Sequence, residues 1–148
     1  MNKNNLSTFL LILYLVCVIP VIAIYFYHGH HEIQESFNLD ALGNETKATK
    51  TFAEGGFLIG SAAGYIWMTA LILKYPTNKI PYLVVLVGTV IIIVIYYARA
   101  EYGVPIPFTN LEIHKFAVGW EGFWTKILQQ ILVIPISMLL IIRATKLR

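Results

Sequence analysis

Apolar residues run almost unbroken over four stretches, Leu6 to Tyr27, Gly56 to Tyr75, Ile80 to Ala98 and Phe123 to Ile142, and polar residues collect between them. A helix needs about 20 mostly apolar residues to cross the hydrocarbon layer of a bilayer, so each stretch predicts a membrane span. The connections alternate: residues 28–55 and 99–122 are long, and 76–79 is a short turn. The pattern predicts an all-α, polytopic integral membrane protein, a single domain over residues 1–148 with four transmembrane helices.

Short amphipathic helices are expected in the two long loops. Ile33, Phe37 and Ala41 recur every four residues and Gly43 follows as a helix stop. Thr51 and Glu54 stand at the spacing of a capping box that would open the second span, and Thr109 and Glu112 repeat that spacing ahead of a helix carrying His114 and ending near Gly119. Between spans two and three, Pro76 and Pro81 flank a tight turn in which Thr77 or Asn78 would cap the next helix. The first stretch is longer than the roughly 7–15 residues of a signal-peptide core and no small-x-small cleavage site follows, so it is expected to be retained.

Composition agrees with this reading. A chain that is 57% hydrophobic and 13% charged does not describe a soluble globule. The net charge of +3 lies in basic residues at helix ends, so nucleic acid is not an expected partner. Cys17 is the single cysteine and forms no intramolecular disulfide.

Lys3, Lys74, Lys79, Arg143, Lys146 and Arg148 occupy the termini and the short turn without any acid. The long loops, with the start of the fourth span, carry Lys47, Lys50, Arg99, Lys115 and Lys126 among all eight acidic residues. The denser basic side is cytoplasmic by the positive-inside rule. Both termini are therefore expected inside the cell membrane and both long loops outside, where Asn44-Glu45-Thr46 forms a glycosylation sequon.

Chemistry is sparse. The middle third of every span lacks an ionisable residue, whereas ion pathways and proton relays place such groups there. No phosphate loop, zinc framework, nucleophile elbow or zinc-protease helix motif is present, and the chain is not expected to be an enzyme. Gly56, Gly60 and Gly64 lie on one helical face, where another backbone can approach closely, and the amides of Gln129 and Gln130 are expected to pack against it. Trp120 and Trp124 mark a membrane interface.

The candidate metal ligands are His28, His30, His31, Glu32 and Glu35, with His114 from the other outer loop. If helix continues through the tract, His28 with Glu32 and His31 with Glu35 share faces at a chelating spacing. Imidazole with carboxylate suits copper or zinc. These features predict a non-catalytic accessory subunit of a larger membrane complex, a copper-dependent one among the candidates, with lipid and other membrane subunits as partners. A rival reading is a metal-handling or metal-sensing protein using the His-rich loop. A weaker one is a channel or carrier for small uncharged solutes.

Overall fold

The computed structural model describes residues 3–106, 109–113 and 120–144. Its elements are α1 (Lys3–Ala41), α2 (Glu45–Lys74), α3 (Lys79–Tyr102), a two-residue ladder of β1 (Val104–Pro105) with β2 (Glu112–Ile113), and α4 (Trp120–Ala144). All four helices are long and apolar enough to cross a membrane by length and composition.

The first connection differs from the expected loop. α1 has 39 residues and α2 has 30, so at ~1.5 Å per residue they extend roughly 58 and 45 Å. The polar segment that was to hold a separate amphipathic helix is instead the continuation of both helices, joined by a tight turn. Gly43 adopts φ 76°. Its N–H donates to the Asp40 carbonyl and the N–H of Asn44 to the Leu39 carbonyl, closing a Schellman motif. The Asn44 side chain then accepts from the Lys47 N–H and caps α2. The start expected at Thr51 and Glu54 is overturned: both are buried inside α2, because Asn44 already satisfies a free N–H one helical stretch earlier.

Helix persists through the polar tract because a single seam runs the full length of the hairpin. The buried positions along it include Leu10, Tyr14, Cys17, Val21, Tyr25, Gly29, Glu32 and Ser36 on α1, and Ala48, Thr51, Gly55, Leu58, Ala62, Tyr65 and Ile72 on α2, with Val18 and Glu54 buried beside them. The steps are threes and fours, apart from the seven residues between Tyr65 and Ile72, so each helix keeps one face toward the other. Small residues in the seam let the backbones approach. A β-carbon on Gly55 would lie 2.8 Å from the Gly29 carbonyl oxygen.

The second connection is a turn as expected. Tyr75 N–H bonds the Leu71 carbonyl, Asn78 N–H the Tyr75 carbonyl, and the Asn78 side chain accepts from Ile80 N–H to cap α3. The loop after α3 departs from expectation. Thr109 to Glu112 do not open a helix: Val104 pairs with Ile113 and Pro105 with Glu112, antiparallel, while the Thr109 hydroxyl accepts from Leu111 N–H across the bend. The remainder of that expected helix, with His114, lies outside the described residues.

α1 contacts α2 most extensively, α4 next; α4 packs on α3, and α3 touches α2 least. The helices thus form a ring in chain order, with α1 diagonal to α3 and α2 diagonal to α4. Tyr14, Val18, Val21, Ala62, Tyr82, Leu132, Ile136 and Leu139 fill its centre. Phe9, Ile12, Val16, Ile19, Ile91, Val94, Ile134 and Ile141 face outward.

Candidate functional site

Among the described residues, three places stand out as candidate sites. The first is a polar chain through the middle of the bundle. The Lys126 ammonium donates to the Tyr25 hydroxyl at 2.6 Å and to the Gln129 Oε1 at 2.8 Å. Tyr25 donates in turn to Gln129 Oε1 at 3.2 Å. The Gln129 Nε2 donates to the Tyr65 hydroxyl at 3.1 Å, which lies 2.9 Å from the Thr89 hydroxyl. Thr89 spends its proton on the Val85 carbonyl at 2.7 Å, so Tyr65 is the donor to Thr89. The bonds run in one direction, from an ammonium on α4 through α1, α4 and α2 to a backbone oxygen on α3.

Burial makes this chain matter. Gln129, Thr89 and Thr125 are fully enclosed and Lys126 is only 7% exposed. An amide or hydroxyl without a partner in such surroundings costs on the order of 1–3 kcal/mol. The ammonium is further held over two aromatic faces, 5.2 Å from the Tyr25 ring centre and 4.8 Å from that of Tyr96. Sequence reasoning missed Lys126, which stands four residues into an apolar run and reads as an interfacial anchor. The signal was available: Lys126 and Gln129 are three apart and so share a helical face.

Gln129 and Gln130 were expected to face the three glycines, and they do not. Gln129 points to Tyr25 and Tyr65, on the seam side of α2, while Gln130 donates to the Tyr97 hydroxyl of α3 at 3.0 Å. Adjacent residues on a helix diverge by about 100°, so the two amides serve different neighbours.

The second place is the face of Gly56, Gly60 and Gly64. All three are exposed, and a β-carbon added at any of them would meet nothing within 4 Å. The glycines that bring helices of this chain together are Gly29 and Gly55, one step around the helix. Gly64 and Ser61 instead border a cleft of about 170 Å³ between α2 and α3, opposite Gly88 and Ile92, with Tyr65 and Thr89 at its floor.

The third place is on the α1 extension. Because helix does continue there, His31, Glu32 and Glu35 each present a donor atom within 4.8 Å of the others. His31 is exposed, Glu35 half-buried, and Glu32 only 7% exposed. Burial, with the Glu35 carboxylate beside it, pushes the Glu32 carboxyl above its ordinary value, against the opposing pull of His31, His28 and Lys47. His28 packs edge-on against Tyr27, and His30 is exposed and not part of the trio. Trp124 is exposed and stacks edge-on with Phe123; Trp120 is the first residue of α4.

The chain matches no protein-family model, no curated protein and no solved structure.

Proposed function

We propose that this chain is a non-catalytic integral membrane subunit whose α2 helix docks an apolar helix of another protein against Gly56, Gly60 and Gly64. The observation that carries the reading is that, among the described residues, nothing lies within 4 Å of a β-carbon added at any of these glycines. Each glycine in a helix interior is less favourable than alanine by about 1 kcal/mol, and among the described residues no close approach offsets it here. A neighbouring backbone seated on the face offsets it, since small residues are what allow spanning helices to pack in lipid.

Insertion in a membrane is supported by the distribution of side chains. Large aliphatic residues point outward and the polar chain of Lys126, Gln129 and Tyr65 points inward, the arrangement that suits a hydrocarbon solvent. In this reading both termini are cytoplasmic, and the end of the α1–α2 hairpin, residues 28–55, stands clear of the outer surface by roughly 20 Å.

The test is recovery of the protein from its native membrane in mild detergent, compared with a variant carrying Gly56→Leu, Gly60→Leu and Gly64→Leu. The wild type is expected to bring down defined membrane partners and the variant to lose them while keeping its helicity. Identical partner sets for the two, or no stable partner for the wild type, would reject the docking face.

A further inference from the structure

We propose that His31, Glu32 and Glu35 bind a single divalent transition-metal ion of the copper(II) or zinc(II) kind on the flank of the α1–α2 hairpin. This goes beyond the subunit reading and does not depend on it, because the trio is supplied by one helix of this chain, on a stretch distant from Gly60 and Gly64.

Geometry comes first. The three donor atoms lie within 4.8 Å of one another. Bonds of ~2.0–2.2 Å from zinc to nitrogen and oxygen place neighbouring ligand atoms roughly 3.4 Å apart in a tetrahedron. Side-chain rotations of about an ångström close the difference, and His31 and Glu35 are accessible enough to make them. The helix itself need not move.

The second observation is the state of Glu32. Its side chain is more than nine-tenths buried, and among the described residues no hydrogen bond or close ion pair reaches it, His31, His28 and Lys47 acting on it only through longer-range attraction. An acidic pair on an ordinary helix surface leaves both carboxylates in water. Here one is buried at a seam position, with a carboxylate oxygen within 4.8 Å of a donor atom of the imidazole and of the second carboxylate. A buried carboxylate needs a counter-charge or hydrogen bonds to offset lost hydration, and a metal ion held with His31 and Glu35 supplies both charge and ligation.

The donor set selects the class of ion. One imidazole and two carboxylates suit borderline divalent ions; copper(I) would want thiolate or thioether, and magnesium and calcium favour oxygen alone. Two carboxylates balance a charge of +2, so the filled site is neutral. Three protein ligands leave one position open on the exposed side, for water or for a ligand from a docked partner.

Untagged protein stripped with chelator and held in detergent decides the matter. Calorimetric titration with zinc(II) is expected to show one ion per chain. Glu32→Gln and His31→Ala should each lower the affinity at least tenfold, His30→Ala and the triple glycine variant should leave it unchanged, and magnesium(II) should not bind. Copper(II) bound to the wild type should show hyperfine coupling to one nitrogen. Absence of stoichiometric zinc or copper, equal loss in His30→Ala, or coupling to two or more nitrogens would overturn the assignment. His31 is exposed, so its alanine variant and the copper spectrum remain decisive even if Glu32→Gln fails to fold.

Discussion

Gly29 and Gly55 face each other across the α1–α2 seam so closely that a β-carbon on Gly29 would stand 2.9 Å from the Gly55 carbonyl oxygen and 2.7 Å from the Ile59 Cγ1. Backbone, rather than a flexible side-chain tip, is part of the obstacle. Gly55→Ala should therefore force the helices apart and destabilise the protein by about 1–3 kcal/mol, the usual range for overpacking. Gly60→Ala, with open space around it, should be neutral or stabilising by up to ~1 kcal/mol. Unfolding by denaturing detergent from mixed micelles measures both, and equal effects would refute the distinction.

Removing Gln129 breaks the donor chain at the residue that joins α4 to both α1 and α2. Gln129→Leu takes an acceptor from Lys126 and Tyr25 and a donor from Tyr65, and should destabilise by roughly 2–3 kcal/mol given the desolvated groups left behind. Gln130→Leu removes one exposed bond to Tyr97 and should change stability by under ~1 kcal/mol. The same unfolding assay ranks them, and a larger loss for Gln130→Leu would contradict this assignment of roles.

Glu32 gives stability a definite dependence on pH in the absence of metal. Its folded-state carboxyl titrates above the ordinary value, raised by burial and then by Glu35, with His31, His28 and Lys47 opposing. Between the unfolded and folded values the native state holds more protons, so stability falls as pH rises through that window and stays lower above it. In chelator, Glu32→Gln should lack this decline and be at least as stable as wild type at neutral pH. Parallel pH profiles for the two proteins would remove Glu32 as the cause.

The proposed orientation is testable with single cysteines in a Cys17→Ala background, since Cys17 is itself buried. Asn44 at the hairpin tip and Thr77 in the α2–α3 turn are both exposed. A membrane-impermeant maleimide applied to intact cells is expected to label Asn44→Cys and spare Thr77→Cys. The opposite pattern would invert the molecule in the membrane.

Four long helices, the Gly43 stop and the Asn78 cap were legible in the order of residues, because each depends on local chemistry. A run of about 20 apolar residues commits the backbone to helix in lipid, and a positive φ or an orphan N–H is settled within a few positions. Rotation about each helix axis was not legible. A span apolar on every side carries no stripe to say which face meets its neighbour, so Gly56, Gly60 and Gly64 were expected at the close contact that Gly29 and Gly55 make. Only contact with α1 chose between them, because the steps of three and four through Ala48, Thr51, Gly55, Leu58, Ala62 and Tyr65 stay on one line while steps of four drift off it.

The same division holds at the sites. Spacing alone grouped His31 with Glu35, conditional on helix continuing past Tyr27, and could not say that Glu32 would turn inward at the seam. Nor did one lysine at the start of an apolar run announce that it would be enclosed by Tyr25, Tyr96 and Gln129. What the order of residues determined by itself was that four apolar runs are helical and that Gly43 and Asn78 mark turns, since those are decided by a chain and its solvent; the start of α2 at Glu45 rather than at Thr51 was not among them. Which residues are hidden, and hence which charges must find partners, was decided only by the tertiary structure, because burial is a property of neighbours brought from elsewhere in the chain.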